Sequence, residues 1–394
     1  MKQKSKVGTV MKIHTVTRGE SLSEISKKYE IPEKLLMADN EITRGVLAVG
    51  EELLVRQPTR THRARYRDTL DALCIRYGIK KSDMLAQNPH IKSGAPDVGE
   101  YVVLRQPEKP YGNAASNGYF YSGCSEEAFL RALPYLTYVT FSSAILGDRR
   151  CETSFSTKSP AKRAEAEGCI PLLRFHTKRG TKISASAIES ILRTTSEGGC
   201  CGAVIPMQGK GKEYKETLSE FRARLSKEGI LLIIECDEES ATELSREADL
   251  TFFSYCKHAL DVRPSFEEGE HLLLSRVAGD GAANRTLVEL PATARCADSF
   301  IGICEAISGA RKSRAEIKKD RGLMCEFSVG QKRYVYPSLE NIKANLDLVG
   351  ELGFMGVSFD IMRSPTSHFL AFNDLYKPTK LQQLNSQAER NREL

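Results

Sequence analysis

The sequence has no tryptophan, and no apolar run approaches the length of about eighteen residues that a membrane-spanning helix needs. The first ten residues include three lysines but no apolar stretch of the kind found in signal peptides. The sequence therefore predicts a protein that is synthesised in the cytoplasm, with no signal peptide and no membrane span.

Paired cysteine motifs are also missing. The eleven cysteines are odd in number, lie at irregular spacings and include no C-x-x-C pair, a pattern that favours reduced thiols. The seven histidines do not cluster with the cysteines, so we expect no metal site and no cofactor.

The chain has only a small net charge. Residues 1–110 hold 20 Lys and Arg against 14 Asp and Glu, and the remaining residues hold 37 of each, so the formal charge of +6 is all N-terminal. This surplus is too diffuse, and too poor in clusters of arginine with aromatic residues, to indicate a nucleic-acid partner. The 394 residues, of which 41% are hydrophobic, are enough for two or three domains with real cores.

An internal repeat occupies the N-terminal quarter of the chain. Residues 14–58 and 62–107 align at an offset of 48 residues, which grows to 49 after one insertion. The repeated pairs are His14 and His62, Leu22 and Leu70, Tyr29 and Tyr77, Ile31 and Ile79, Ala38 and Ala86, Asn40 and Asn88, and Val49-Gly50-Glu51 with Val98-Gly99-Glu100. This regularity indicates the duplication of one small unit.

Each unit is predicted to fold as strand, helix, helix, strand. Ser21–Glu24 has the spacing of a capping box, and an apolar stripe follows it from Leu22 to Tyr29. Pro32 suits the first turn of a second helix, Asn40 ends that helix, and residues 50–55 supply the closing strand.

This order of elements, with Gly19-Glu20-Ser21-Leu22 after the first strand, Asn40 after the second helix and Val-Gly-Glu before the last strand, resembles the LysM module. The resemblance implies modules at 11–57 and 61–107 that bind N-acetylglucosamine-containing glycans such as peptidoglycan or chitin. It also implies a shallow groove between two loops, which contacts acetamido groups largely through backbone polar atoms. The implied groove residues are Gly19, Glu20, Ser21, Leu22, Asn40 and Ile42 in repeat one, and Asp68, Thr69, Leu70, Asn88 and Ile91 in repeat two.

Residues 108–117 are predicted to form a linker, after which the composition changes. From there to residue 380, eight apolar runs alternate with sequence that is mostly helical, and residues 381–394 form a polar tail. The runs are 118–121, 138–141, 170–175, 203–205, 230–236, 250–255, 286–290 and 356–361. This count predicts an α/β fold of the (β/α)8 barrel type over residues 118–380, with a doubly wound sheet as the alternative.

The barrel segment carries a second resemblance, over residues 117–374. Asn117-Gly118-Tyr119, Leu133–Tyr138, Phe253-Ser254-Tyr255 and Gly356–Phe359 occur in the order and spacing of family-18 glycoside hydrolases. The likeness is greatest to the LysM-bearing branch associated with bacterial spore peptidoglycan. Such enzymes use the substrate's own acetamido group in place of a second catalytic carboxylate.

The resemblance implies an acid at the end of the fourth strand and an aspartate two residues before it. Aligned with Gly202–Gln208, the aspartate position is Pro206 and the acid position is Gln208. The tryptophan that usually ends the eighth strand is replaced by Asp360. An amide has no proton to deliver and proline cannot carry charge, so the sequence predicts that the family's catalytic residues are absent. Tyr119, Gln208, Tyr255 and Asp360 are the residues predicted to line the barrel cleft.

Other carboxylates remain as alternatives, namely Glu235 and Asp237 on strand five, Glu289 on strand seven and Asp360. The sequence therefore favours a glycan-binding protein of the cell wall or spore envelope with an inactive barrel. An active peptidoglycan N-acetylglucosaminidase with relocated carboxylates is the first alternative. A scaffold that binds spore-envelope proteins through its barrel is the second. In each reading the expected partners exclude nucleic acid.

Overall fold

The described part of the chain contains two small N-terminal modules and a barrel. The computed structural model describes residues 11–380 apart from 93, 107, 108, 110, 147–150, 178–186, 208–213, 255–273 and 298. Within these residues no helix has the length and apolar character needed to cross a membrane.

Both repeats fold as predicted, as two antiparallel strands packed against two helices. Module one consists of β1 (Met11–Thr15), α1 (Leu22–Tyr29), α2 (Glu33–Asp39) and β2 (Glu52–Arg56). Module two consists of β3 (Arg60–Arg63), α3 (Leu70–Tyr77), α4 (Lys81–Gln87) and β4 (Tyr101–Arg105). The predicted capping box is present: Ser21 Oγ accepts the Glu24 N–H at 3.3 Å, and the Glu24 carboxylate accepts the Ser21 N–H at 2.8 Å.

Eight parallel strands close into a barrel, because the first strand pairs with both the second and the last. The strands are β5 (Asn113–Tyr121), β6 (Tyr138–Leu146), β8 (Ile170–Thr177), β9 (Gly202–Pro206), β10 (Leu231–Cys236), β11 (Leu250–Phe253), β12 (Thr286–Glu289) and β18 (Gly356–Asp360), with the short β7 (Glu152–Thr153) and β19 (Lys377–Pro378) at the margins. The helices are α5 (Glu126–Ala132), α6 (Lys158–Ala166), α7 (Ile188–Glu197), α8 (Lys215–Lys227), α9 (Glu238–Leu244), α10 (Ile303–Ser313), α11 (Leu339–Glu351) and α12 (Thr366–Leu375). The prediction of a (β/α)8 barrel is confirmed.

One predicted boundary needs correction. The first barrel strand begins at Asn113, inside the segment 108–117 that was predicted as a linker. Residues 113 and 114 pair with β19, and residues 115–119 pair with β18. The small and polar residues that suggested a linker are here part of a buried strand, whose backbone pairs with the sheet and whose Ser116 Oγ and Asn117 Oδ1 bond to Tyr135 and Thr140.

Alternate residues of each strand face the barrel interior and the surrounding helices. Val204, Ile233 and Phe252 belong to a buried cluster inside the barrel, whereas Ala203 and Ile205 pack in the larger cluster beneath the helices. Residues two positions further along β9 and β10 therefore face the interior at the C-terminal rim, where active sites of this fold lie.

Between β12 and β18 lies a small antiparallel sheet with one helix, which the sequence analysis did not predict. This insert, residues 290–337, contains α10 and the strands β13 (Thr293–Cys296), β14 (Ser299–Gly302), β15 (Lys318–Lys319), β16 (Met324–Val329) and β17 (Lys332–Pro337). The signal that was missed is the hairpin between β16 and β17, where Gly330 takes a φ of 60° in the turn between the two strands.

Module one is docked on this insert. Arg311 on α10 donates to the Glu51 carboxylate at 2.5 and 3.0 Å and to the carbonyls of Asn40 and Glu41 at 2.8 and 2.7 Å. Ala48 of module one is buried in the insert's own hydrophobic core. The first module and the barrel thus share one continuous folded body.

A close approach at Gly50 completes this interface. Gly50 has a φ of +80°, and a Cβ placed there would lie 1.9 Å from the Ile317 carbonyl oxygen of the insert. The Ile317 N–H also donates to the Val49 carbonyl at 2.8 Å. Glycine is required at residue 50 both by its backbone conformation and by the insert.

We predict that Gly50→Ala destabilises the protein more than Gly78→Ala. Gly78 also has a positive φ, +66°, but no atom lies within 4 Å of its Cβ position. Gly78→Ala should therefore lower the free energy of unfolding only by the backbone strain, about 1–2 kcal/mol. Gly50→Ala adds the displacement of Ile317, and denaturant titration of both variants measures the difference. Equal losses would show that the insert does not hold module one in solution.

Candidate functional site

The loop between the first strand and first helix of each module is organised by a buried acid. In module one the Glu20 carboxylate accepts hydrogen bonds from the Thr17 N–H at 3.0 Å and from His14 Nε2 at 2.9 Å. Burial opposes the charge, but these hydrogen bonds outweigh it and lower the pKa of Glu20. In module two His62 Nε2 bonds to Asp68 at 2.7 Å and lowers the pKa of that carboxyl. Each acid therefore fixes the conformation of its loop through hydrogen bonds inside the module.

The asparagine after each second helix serves as an internal clamp. Asn40 donates to the carbonyls of Leu36 and Leu54 at 2.9 and 3.0 Å and accepts the Leu54 N–H at 2.7 Å. Asn88 makes the equivalent bonds in module two. The amide nitrogen and the amide oxygen of each asparagine are thus both bonded inside the module. These asparagines position the backbone of the groove and do not offer their amides to a ligand.

The remaining predicted groove residues are caps or core. Ser21 and Thr69 cap the first helix of their modules, and Gly19 has a φ of +84° that turns the chain into that helix. Where module one has this glycine, module two has Arg67 at a φ of 68°. The apolar groove residues are all buried in the two module cores, namely Leu22, Ile42, Leu70 and Ile91.

The two modules differ in their contacts beside the groove. In module one the carbonyl of Val49 accepts the Ile317 N–H of the insert at 2.8 Å, and Arg18, whose side chain is 81% exposed, forms a surface ion pair with Glu316 at 2.8 Å. The equivalent residues of module two are Tyr66 and Val98, which are 78% and 72% exposed. The sequence repeat could not show this difference, because it arises from contacts with the barrel.

At the barrel rim, the residue that the resemblance places at the orienting aspartate faces the interior. Pro206 is half-buried at the end of β9, on the same face as Val204, and lies opposite Glu235 in the parallel register. The acid position, Gln208, and the tyrosine position, Tyr255, lie outside the described residues.

Glu235, the nearest inward carboxylate, is held by an arginine. Arg174 on β8 contacts it through two bonds, Nε to Oε2 at 2.6 Å and Nη2 to Oε1 at 2.9 Å. Burial opposes the guanidinium charge, but the attraction of Glu235 outweighs it and raises the pKa of Arg174. Arg174 also donates to His176 at 2.9 Å and to Ser142 at 3.4 Å. This polar chain fills the rim beside Pro206.

Tyr119 and Glu289 belong to the same interior. Tyr119 packs edge-to-face on Phe252 with ring centroids 6.3 Å apart. Burial raises the pKa of Tyr119 well above its ordinary value, and the negative charges of Glu235 and Glu289 add to the effect. Tyr119 therefore remains a neutral hydroxyl in the cleft.

The other predicted alternatives have structural partners. Asp360 accepts the Tyr121 hydroxyl at 3.0 Å and the N–H groups of Met362 and Arg363 at 3.0 and 2.9 Å. Burial raises the pKa of Asp360 despite these bonds. Asp237 caps α9 by accepting the Ser240 N–H at 3.1 Å and does not lie on β10. Among the described residues no group of three or more His, Cys, Asp and Glu side chains is arranged to hold a metal ion.

Comparison with known proteins identifies the modules. The LysM domain family matches residues 14–56 and 62–104, so the chain carries two LysM domains. No curated protein is significantly similar to the whole chain in sequence.

Solved structures share the complete architecture. The crystal structure of the Bacillus megaterium QM B1551 spore cortex-lytic enzyme SleL matches with a TM-score of 0.71 and 15% identity, over 95% of this chain and 100% of that chain. SleL from Bacillus cereus matches with a TM-score of 0.70 and 16% identity, over 94% and 100%. A chitinase from Chromobacterium violaceum ATCC 12472 matches with a TM-score of 0.55 and 14% identity, over 66% of this chain and 98% of that chain. At these identities the comparisons establish the fold.

We predict that the pair of Arg174 and Glu235 stabilises the rim as a unit. Arg174→Leu should lower the free energy of unfolding by about 3–5 kcal/mol, because it leaves a buried carboxylate without its partner. Replacing both residues, with Arg174→Met and Glu235→Leu, should recover most of that loss. Denaturant unfolding of the single and double variants gives both values.

The matched control is Arg333→Ala, which breaks an exposed ion pair with Glu326 on the insert. This change should alter the free energy of unfolding by less than about 1 kcal/mol. If Arg174→Leu were as mild as the control, Glu235 would be solvated and available for chemistry.

Proposed function

We propose that this protein binds N-acetylglucosamine-containing glycan, with peptidoglycan as the principal partner, and that its barrel does not hydrolyse it. The observation that carries the proposal is the rim of the barrel. At the end of β9 the inward residue is Pro206, and the carboxylate beside it, Glu235, is bound on both oxygens by Arg174.

Hydrolysis assisted by the substrate's acetamido group requires two groups from the enzyme. One is an acid that protonates the leaving oxygen, and the other is a carboxylate that orients the acetamido group. Gln208 has no acidic proton and Pro206 has no side-chain hydrogen-bonding atom. General acid catalysis alone contributes about 10²–10⁴-fold to rate. A barrel that lacks both groups retains the shape of a glycosidase without its proton donor.

Asp360 favours a second candidate, an active N-acetylglucosaminidase with a relocated acid. Its carboxyl lies at the interior end of β18, and burial raises its pKa, as suits a proton donor. Its Oδ1, however, already accepts bonds from Tyr121 and two backbone N–H groups, and its Oδ2 lies 3.3 Å from the same Tyr121 hydroxyl and 3.8 Å from Arg363 Nη1. We therefore assign Asp360 a structural role.

Binding is assigned to the LysM domains, and module two presents the open surface. Its Tyr66 is 78% exposed in the loop that leads to Asp68 and Thr69. An exposed aromatic ring offers a flat apolar face to a sugar ring. The names of the two similar spore cortex-lytic enzymes support a location in the cell wall or spore envelope, where spore-envelope proteins are further proposed partners.

We predict that the full-length protein sediments with insoluble peptidoglycan and that soluble N-acetylglucosamine oligomers compete. Tyr66→Ala should weaken binding about two- to tenfold, because it removes the exposed ring beside the groove. The matched control is Ile75→Ala, an 86% exposed apolar residue on α3 of the same module, which should bind like the parent. Failure of the parent protein to sediment would contradict the binding function.

We also predict no release of reducing sugar from peptidoglycan or chitin oligomers above a buffer blank. The double change Pro206→Asp with Gln208→Glu returns both carboxylates at the spacing that the family uses, and two acids so close raise one another's pKa. A gain of activity in this variant would confirm the alignment. Hydrolysis by the unmodified protein that is lost in Asp360→Asn would instead show a relocated acid.

A further inference from the structure

A cleft of about 590 Å³ lies where module one meets the barrel. One wall is the loop after α2, from Asn40 to Val46, and the other is helix α10 of the insert with the start of α12. Residues 19–22 do not line it, but Asn40 does, so the cleft adjoins the groove that the LysM resemblance implies on the side that faces the barrel. Its volume is in the range of sites that enclose small ligands.

The acidic residues of this cleft are neutralised by neighbours. Glu41 is contacted by Arg131 at 2.8 Å and accepts the Thr366 hydroxyl at 2.5 Å. The Glu51 carboxylate is bound by Arg311. Glu52 is bound by Lys319 at 2.6 Å and by the Glu340 N–H at 3.2 Å. The acids thus serve the docking of module one and leave little negative charge for a ligand to meet.

Three cationic side chains that line the cleft differ from these paired acids. Arg44, Lys312 and Arg314 line the cleft with exposed side chains. None of them forms an ion pair with a carboxylate within the described ranges of the chain. The cleft therefore carries unneutralised positive charge from two different elements that face each other.

A further observation on the cleft concerns the backbone conformation of Arg314. Arg314 ends α10 in the left-handed conformation, with a φ of 52°, where glycine is the usual residue. A side chain at such a position costs about 1–2 kcal/mol of backbone strain. Its N–H donates to the Arg311 carbonyl at 3.3 Å, so its backbone is fixed next to the arginine that docks module one.

We propose that this cleft binds the carboxylate-bearing part of the glycan, that is, the free carboxylates of the first peptide residues attached to a muramic acid unit. The proposal rests on the proposed function and adds to it a preference for peptidoglycan over neutral chitin. Guanidinium groups match carboxylates in shape and charge. Val46, Ile307 and Pro365 give the cleft apolar surface for a sugar ring or methyl group.

A polymer with repeated carboxylates fits this arrangement better than one compact anion. The cations lie on both walls of the cleft, so an extended ligand that passes between the walls meets each of them in turn. Module one and the insert each supply half of the site, so the preference exists only in the intact chain.

The test compares two soluble probes by calorimetry on the full-length protein. One is a disaccharide dipeptide of N-acetylglucosamine and N-acetylmuramic acid, and the other is the neutral oligomer chitotetraose. The triple variant Arg44→Gln, Lys312→Gln, Arg314→Gln should bind the disaccharide dipeptide about tenfold more weakly, with a flatter salt dependence. Its affinity for chitotetraose should not change. Unchanged affinity for the disaccharide dipeptide would overturn the proposal.

A charge-matched control removes three other exposed cations of the insert that do not line the cleft, Lys318→Gln, Arg321→Gln and Lys332→Gln. This variant should bind both probes like the parent; an equal loss would show an effect of net charge alone and overturn the assignment of the cleft. Arg44→Gln alone, outside α10, repeats the test without touching the helix end. It should weaken binding of the disaccharide dipeptide with no change in thermal unfolding.

Inorganic phosphate serves as a competitor, because phosphate groups of other wall polymers also bind arginine. We expect no displacement of the disaccharide dipeptide by phosphate at equal concentration. Displacement would assign the cleft to a phosphate group and overturn the carboxylate proposal. If the parent protein binds neither glycan probe, the proposed function itself fails, which separates that outcome from failure of the cleft assignment.

Discussion

Arg311 holds module one against the insert. Its guanidinium is half-buried between module one and the insert and donates to the Glu51 carboxylate and to two backbone carbonyls of the loop after α2. Such a charge-assisted, two-oxygen contact is both directional and strong. It fixes the loop that borders the candidate groove, brings Ala48 into the core of the insert and sets Gly50 against Ile317.

Because of this contact, the two duplicated modules have different surroundings. Module one is held by the barrel and forms one wall of the cationic cleft. Module two meets module one through an exposed ion pair between Lys34 and Asp97 at 2.7 Å and leaves Tyr66 and Val98 uncovered. Exposed pairs contribute little free energy, so this ion pair restrains module two only weakly. Under the proposed function, module two is the one that meets the insoluble polymer, while module one is held against the insert.

The described part of the barrel rim is occupied by polar side chains that bond to one another. The interior of the rim still contains a buried tyrosine, Tyr119, and a network of charged groups. Here the charges neutralise one another, since Arg174 takes both oxygens of Glu235. A catalytic carboxylate must be free to exchange a proton with substrate, whereas this one is bound to an arginine on β8, the strand beyond β9. The same polar atoms that would serve catalysis serve the stability of the rim.

The sequence by itself determined the duplicated modules, the cap at Ser21 and all eight barrel strands, because these follow from local periodicity and from short-range hydrogen bonds. The family resemblance predicts that Pro206 takes the orienting position, and strand alternation places Pro206 on the inward face of β9. Only the tertiary structure decided that Asn40 and Asn88 are internal clamps, that Asp237 is a helix cap and that Glu235 belongs to Arg174. The insert, its docking through Arg311 and the cleft beside it were likewise invisible, because they depend on residues some 260 positions apart in the chain. A periodic pattern within a short stretch of sequence does not show which distant side chain will contact a given charged residue. Those long-range contacts are what distinguish a catalytic residue from a structural one.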